Sequence, residues 1–152
     1  MSNPGEAGQG TGSDDPVGGI PTGYQPLAKW SAFGRIAGPV YQKRGPDGRV
    51  LGFRVAEKHL NLGGVAHGGA LATFADIVLG QFEGRDYSTV TVTVRLTVDF
   101  IAPARAGDWV EGRVEVTGES GDILFAEATI TCRGRLLVRA SGVFKALPRK
   151  RG

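Results

Sequence analysis

Residues 59–80 read HLNLGGVAHGGALATFADIVLG. From Gly69 onwards, about fourteen residues are good helix formers with apolar side chains on every face, and a helix of that composition is a buried one. One carboxylate, Asp76, stands in the middle of this segment. The stretch therefore predicts a buried helix that begins at a glycine pair and carries a single acidic side chain.

The segments on either side of this helix have the alternation of β-strands. Before it, residues 34–44 and 49–57 read as two strands joined by the turn GPDG at 45–48, since proline and glycine supply the backbone angles of a turn. After it come four more strands, at 91–100, 108–118, 122–132 and 135–147, with turns at 118–122 and at Arg133-Gly134. In the first of these four, one face is expected to hold the apolar residues Val90, Val92, Val94, Leu96, Val98 and Phe100, and the other face Thr91, Thr93, Arg95, Thr97 and Asp99.

This order of elements predicts an α+β domain. Consecutive strands that short turns join are antiparallel. The economical packing is one curved antiparallel β-sheet whose apolar face wraps around one long buried helix.

Length and composition predict one domain with flanking tails. Residues 1–23 are rich in Gly, Ser, Pro and Asp and are interpreted as a disordered arm, residues 24–148 as the folded domain, and residues 149–152 as a basic tail. One cysteine, no apolar run long enough for a membrane span and no signal-peptide pattern favour a cytoplasmic protein without membrane contact. The net charge of +3 is spread among acidic residues, so nucleic acid is not an expected partner.

The start of the predicted helix has the chemistry of an oxyanion site. Gly68 and Gly69 place the first backbone N–H groups of the helix where they have no intrahelical partner, and such groups polarise a carbonyl. The alternative is that the two glycines only allow a tight turn. The chain has only two histidines, and no cysteine lies near them in the sequence, which is too few ligands for a typical zinc site, so no metal is expected. His67 would instead orient this loop.

Asp76 and Asn61 add the groups that such a site needs. An ionised carboxylate among apolar neighbours is costly unless it is hydrogen-bonded, and a desolvated carboxylate is a stronger base. The alternative for Asp76 is a carboxylate that backbone donors satisfy or that faces a wet edge. Asn61 carries both donors and an acceptor, so it could hold a water or the carboxylate in place.

Taken together, His59-x-Asn61-x-x-Gly64-x-x-His67-Gly68-Gly69, Asp76 and the later VDFIAPARAGD resemble the hotdog-fold acyl-CoA thioesterases of the phenylacetate-degradation (PaaI-like) type, over about residues 45–145. The resemblance implies a hotdog fold, with Asp76 as the nucleophile or general base and Thr93 orienting the attacking water. It also implies a homodimer that shares its active sites, doubled to a tetramer. Coenzyme A would be part of the substrate rather than a cofactor, with Gly69 and the cations Arg105, Arg133 and Arg135 as substrate-binding candidates.

The expected activity is hydrolysis of an aromatic or medium-chain acyl-CoA to free acid and coenzyme A. Two alternatives stay open at this stage. One is a non-catalytic hotdog protein that binds acyl-CoA, and the other is a hotdog dehydratase acting on hydroxyacyl thioesters.

Overall fold

The computed structural model describes residues 18–29, 31–81 and 89–148. The described residues form one seven-stranded antiparallel sheet and two α-helices, so the predicted α+β architecture is confirmed. The strands are β1 (Gln25–Pro26), β2 (Tyr41–Gly45), β3 (Gly48–Arg54), β4 (Thr89–Phe100), β5 (Trp109–Ser120), β6 (Ile123–Cys132) and β7 (Arg135–Pro148); the helices are α1 (Ala32–Ala37) and α2 (Gly68–Leu79), with a 3-10 turn at Glu57–His59.

The strand order across the sheet is β1-β2-β3-β5-β6-β7-β4. Two predicted hairpins are confirmed: β2 and β3 meet around Pro46 and Asp47, and β6 and β7 around Arg133 and Gly134, whose positive φ angles of 50° and 77° suit a two-residue turn. Strands β4 and β5 are consecutive but are not neighbours, since β4 pairs with β7 and β5 with β3. Their connection, residues 101–108, is instead hydrogen-bonded to the segment before α2, where the Ala66 N–H donates to the Ala104 carbonyl.

Helix α2 packs against the sheet at two glycines. A methyl group added at Gly112 of β5 would lie 2.5 Å from Val78, and one added at Gly142 of β7 would lie 3.2 Å from Leu79. Both side chains are fully buried in the main core, which includes residues from α2 and from β3, β5, β6 and β7. The glycines let the helix backbone approach the sheet closely, and this fixes the position of the whole helix.

Only one side of α2 is buried in the chain by itself. Its buried residues are Leu71, Phe74, Ala75, Val78 and Leu79, whereas Ala72, Thr73, Asp76 and Ile77 are partly exposed. Helix α2 is thus the buried helix that the sequence predicts, although in the single chain only one of its sides is fully covered. The helix ends at Leu79, where the Gly80 N–H donates to the Asp76 carbonyl, and Phe82, the last residue of the predicted helix, lies outside the described residues.

The predicted first strand, residues 34–44, is half helix. Ala32–Ala37 forms α1, which begins because the Ser31 hydroxyl accepts a hydrogen bond from the Gly34 N–H at 3.0 Å. Strand β2 starts only at Tyr41. An N-cap serine decides the conformation of this short segment against the strand propensity of its apolar residues.

Strand β4 has a bulge that reverses the alternation of its side chains beyond Val94. Thr93 pairs with Phe144 and Arg95 with Val143, so Val94 is an extra residue. Phe144 is buried on the α2 side of the sheet, and Thr93, directly opposite, faces the same way. The predicted single apolar face of this strand is therefore wrong: beyond the bulge Leu96, Val98 and Phe100 face α2, whereas before it Val90 and Val92 face away from the helix.

The described chain begins inside the predicted arm. The guanidinium of Arg54 donates hydrogen bonds to the carbonyls of Gly18 and Gly19, at 2.6 Å for the shortest, and to that of Gly107. Tyr24 then packs edge-on against Trp109, in a small second core on the sheet face opposite α2. Burial, and a hydrogen bond to the Glu111 carboxylate, raise the pKa of the Tyr24 phenol.

We predict that Gly112→Ala destabilises the fold by about 1–3 kcal/mol, because its methyl group overlaps Val78 in a core that cannot expand. Gly118→Ala, in the same strand, is the matched control: its methyl would lie 3.7 Å from Phe125, an ordinary contact, and the expected change is within about 0.5 kcal/mol. Urea unfolding measures both free energies. Equal stability of the two variants would contradict the close approach of α2.

Candidate active site

His67 and the glycine pair form the start of α2. His67 is the N-cap, and its Nδ1 accepts a hydrogen bond from the Gly69 N–H at 2.8 Å. Gly68 is the first helical residue, and a methyl group there would lie 3.3 Å from the Phe100 ring. The two glycines thus keep side chains away from the helix end, and the capping side chain of His67 fixes the conformation of the loop.

Asn61 organises the loop that leads to this helix. Its side-chain oxygen accepts hydrogen bonds from the N–H groups of Gly63 at 2.9 Å and Val65 at 3.3 Å, and its backbone N–H donates to the Val65 carbonyl. Because two backbone donors engage the oxygen, the amide orientation is settled. The side-chain nitrogen of this exposed residue is then the group left to donate to a ligand.

His59 is a buried, neutral imidazole that supports the loop before α2. It is buried, its Nδ1 accepts a hydrogen bond from the Ala56 N–H, and its Nε2 lies 2.8 Å from the Ala37 carbonyl, to which it donates. Burial lowers the pKa of this imidazole below its ordinary value. The His67 N–H donates to the His59 carbonyl, so this histidine also holds the N-cap residue in place.

Asp76 lies on the partly exposed side of α2, where it meets Thr93. The Thr93 hydroxyl donates to Asp76 Oδ1 at 2.8 Å. The bulge at Val94 makes this contact possible. Without it, simple alternation along β4 would place Thr93 on the face opposite Leu96 and Val98, away from α2. The sequence neighbours of Asp76 predict a desolvated carboxylate; in the single chain the helix instead directs Ala75 and Val78 into the core and leaves Asp76 partly exposed.

The carboxylate faces a cavity of about 600 Å³ between α2, β4 and the segment leading into α1. Its lining contains groups that the sequence analysis did not select, among them Lys29, Phe33 and Thr73. Thr73 lies four residues after Gly69 and donates to its carbonyl at 2.8 Å. Thr73 precedes Asp76 by three residues, and residues three or four apart share a helix face, so spacing alone could have identified it.

Asp76 and the helix start are far apart within one chain. Asp76 follows Gly68 by eight residues, which corresponds to about 12 Å along the helix axis. The structure therefore brings together Asp76 with Thr93, and His67 with Gly69, as two separate half-sites. One small carbonyl group cannot contact both halves of a single chain.

The three candidate cations lie at the end of the sheet nearest the loop. Arg105 forms an isolated backbone bridge with Val65, and Arg135 donates to the Pro103 carbonyl at 2.8 Å. Arg133 is exposed at the tip of the β6–β7 hairpin. All three are thus attached to the 101–108 connection or to the hairpin beside it.

Within residues 18–29, 31–81 and 89–148, no three His, Cys, Asp or Glu side chains are grouped so that they could hold a metal ion. Over the same residues, no helix has the length and apolar character needed to cross a membrane.

A curved antiparallel sheet around one central helix, with a glycine-lined helix start and an acidic residue on the open side of that helix, defines the hotdog class of thioesterases. Residues 63–139 match the family model of the Thioesterase superfamily. A Pseudomonas aeruginosa protein named as a candidate esterase, PA0474, is 39% identical over 128 residues, which are 82% of this chain and 96% of that protein.

Solved structures have the same fold. A hypothetical thioesterase of Streptococcus pneumoniae, crystallised with coenzyme A, superposes with a TM-score of 0.66 at 18% identity over 84% of this chain and 98% of that one. The PaaI protein of Escherichia coli gives 0.61 at 20% identity over 66% and 73%. The chain belongs to the Thioesterase superfamily, and it is a thioester hydrolase.

We predict that His59 makes the fold less stable in acid. Burial disfavours the charged imidazolium, and protonation of Nδ1 would also break its hydrogen bond from Ala56, so the folded state takes up this proton at a lower pH than the unfolded state, where the pKa is near 6.5. The unfolded chain therefore binds more protons, and the free energy of unfolding should fall as the pH drops below 6.5.

The measurement is urea unfolding of the wild type and of His59→Gln at pH 7.5 and at pH 5. The variant is expected to be less stable at pH 7.5 but to lose less on acidification, because glutamine does not titrate. The same loss in both proteins would exclude His59 as the titrating group.

Proposed function

We propose that this thioester hydrolase cleaves an acyl-CoA, with an aromatic or medium-chain acyl group, to a free acid and coenzyme A. The observation that carries this proposal is the pair of half-sites on α2, a helix start with an accessible glycine N–H and a carboxylate held by Thr93. Coenzyme A in the related Streptococcus pneumoniae structure supports the choice of substrate class.

The proposed roles follow from the positions of the groups. The Gly68 N–H, at the positive end of α2, holds the thioester oxygen as it becomes an oxyanion. Asp76 either removes a proton from the water that attacks the carbonyl carbon, or attacks this carbon itself to form a mixed anhydride that a water then hydrolyses to the free acid. In both cases the C–S bond breaks and the sulfur leaves as thiolate. Thr93 orients Asp76 or the water, and Asn61 donates its side-chain N–H to the substrate or the water.

His67 and Gly69 position this machinery in the proposal. Because the Gly69 N–H is engaged by His67 in the chain described, Gly68 presents the free amide, and Gly69 contributes by keeping the substrate path clear of a side chain. Arg105, Arg133 and Arg135 would bind the phosphates of coenzyme A, since they lie beside the loop that leads to α2.

The separation of the half-sites supports a shared active site. The reacting carbon must lie within about 3–3.5 Å of the attacking group while its oxygen reaches the amide. We therefore infer a homodimer in which Gly68 and Asn61 of one chain act with Asp76 and Thr93 of the other. We further infer that two such dimers form a tetramer in the cytoplasm.

Strand β4 supplies a surface for this dimer. It is the last strand of the sheet, so its outer edge is unpaired among the described residues, and Val92 and Val94 are 42% and 60% exposed. Such an edge favours pairing with another strand. Antiparallel pairing of β4 with its copy would extend the sheet across a two-fold axis and would cover the exposed valines.

A dehydratase has less support, because it would need a catalytic histidine. His67 Nδ1 is used as a helix cap and both nitrogens of His59 are hydrogen-bonded inside the fold.

We predict that Asp76→Asn lowers turnover of acyl-CoA by about two to four orders of magnitude, as expected for loss of a base or nucleophile. The amide retains an acceptor for the Thr93 hydroxyl, so the fold should be retained. Asp122→Asn is the matched control, because Asp122 pairs with Lys145, which lies on the sheet face opposite α2 and Asp76, and it should leave turnover unchanged. Coenzyme A release is measured on a panel of acyl-CoAs. Near wild-type turnover in folded Asp76→Asn would overturn the assignment.

We predict that two inactive variants restore activity when they are combined. Asn61→Ala and Asp76→Ala are co-refolded in equal amounts, and random pairing makes about half of the dimers mixed. Each mixed dimer holds both lesions in one site and none in the other, so about a quarter of wild-type activity is expected. Mixed dimers that form but stay inactive would show that Asp76 acts within its own chain.

A further inference from the structure

A second cavity, of about 350 Å³, lies between α1 and the first half of α2. Its lining is mostly apolar, and its polar side chains are Lys58, His59 and Thr73. The side chains that matter here are Phe33 and Ile36 of α1, Phe53 and His59 on its floor, and Thr73 and Phe74 of α2.

This cavity opens beside the proposed oxyanion site. Gly69 and Ala70, in the first turn of α2, are part of its lining. If a thioester carbonyl is held at the Gly68 N–H, its acyl group can extend directly into the cavity, whereas Asp76 faces the other, larger one. The inference therefore rests on the proposed function and concerns the acyl part of the same substrate.

The floor of the cavity is aromatic. The Phe53 ring lies 4.7 Å from that of Phe74 and 5.1 Å, edge to face, from the imidazole of His59, measured between ring centroids. All three side chains are buried. Aromatic rings favour the edges and faces of another ring, which points to a ring-containing acyl group.

The polar side chains on the floor of this cavity are engaged within the fold. Both ring nitrogens of His59 are hydrogen-bonded to backbone atoms of Ala56 and Ala37. The Thr73 hydroxyl donates to the Gly69 carbonyl. Lys58, the charged residue of the lining, is exposed, so the buried part of the cavity presents an apolar surface to the acyl group.

The volume sets an upper size. An apolar cavity of about 150 Å³ is sufficient for benzene. The cavity of about 350 Å³ therefore holds one ring with its linker to the carbonyl, but not a long fatty acyl chain.

Phe33 separates this cavity from the one that contains Asp76. It lines both, together with Thr73 and Ile77 of α2. Phe33 and Ile36 are 62% and 72% exposed, which is unusual for large apolar side chains on one short helix. An apolar acyl group in the cavity would cover part of this surface.

We propose that α1 determines the acyl specificity: Phe33 and Ile36 close the cavity over an apolar group of one ring, and Phe33 blocks longer chains. The two residues are specificity determinants and take no part in the chemistry. Removing the Phe33 ring enlarges the acyl cavity and leaves an aromatic acyl group without one wall.

The test compares kcat/KM of the wild type and of Phe33→Ala with acetyl-, phenylacetyl- and straight-chain acyl-CoAs. The wild type is expected to prefer phenylacetyl-CoA over long straight-chain acyl-CoAs by about tenfold or more. In Phe33→Ala, kcat/KM for phenylacetyl-CoA should fall by about tenfold or more, while that for acetyl-CoA, too short to reach Phe33, stays within about twofold. The best straight-chain substrate should become longer by about two carbons or more, because loss of the Phe33 ring removes the wall that limits the acyl cavity.

Phe125→Ala is the matched control, since Phe125 is a partly exposed phenylalanine on the sheet face opposite α2 and its loss should leave the substrate profile unchanged. Ile36→Ala gives a second variant on the same wall and should shift the profile in the same direction. A wild type that hydrolyses acyl-CoAs but shares its profile with Phe33→Ala would overturn this proposal and leave the proposed function intact. A wild type that hydrolyses none of these substrates would overturn the proposed function itself.

Discussion

The close packing of α2 on β5 and β7 determines where everything else in this domain lies. Two strand glycines, Gly112 and Gly142, provide the space that Val78 and Leu79 occupy. A side chain at Gly112 would meet Val78 and push the helix off the sheet, whereas one at Gly142 would first meet Phe144 of the same strand and then Leu79. The same contact fixes the rotation of the helix about its axis, so that the side carrying Thr73, Asp76 and Ile77 faces away from the sheet. The functional groups thus lie on the side of the helix that the fold leaves uncovered.

The second constraint is the bulge in β4. One extra residue, Val94, reverses which side chains face the helix, and this reversal has two consequences. It directs the Thr93 hydroxyl to Asp76 while keeping Leu96 and Val98 in the core. It also leaves an edge strand whose valines face solvent, which ordinary proteins avoid unless the edge is covered. A local irregularity therefore joins the chemistry of Asp76 to the surface on which the proposed partner would pair.

The sequence predicted those features that depend on local signals. The helix start at Gly68, the hairpins at Asp47 and Arg133, and the choice of Asp76 as the one acidic group on α2 all follow from residue types and spacing. The family resemblance added the fold and the joint pattern of residues. The order of β4 in the sheet, the bulge and the helix α1 were missed, because each depends on tertiary contacts or on a single capping hydrogen bond. Alternation in β4 predicted one apolar face, and no residue type in that strand reveals where the register shifts. Burial of Asp76 was inferred from its sequence neighbours, whose side chains point elsewhere around the helix.

Under the proposed function, the open side of α2 carries Asp76, meets the partner chain and adjoins the acyl cavity. Asp76 and Thr93 need a second chain that brings an amide to them, and a partner covering this side of the helix would also remove water from the carboxylate. Removal of water strengthens every electrostatic interaction at the reacting carbonyl, so assembly and activation of the site would be the same event. The acyl cavity under α1 adjoins this side through Thr73 and Ile77. A change in α1 would then alter substrate choice without moving the catalytic groups, because α2 is held by the sheet and not by α1. Catalysis and specificity would therefore rest on different contacts within one small domain.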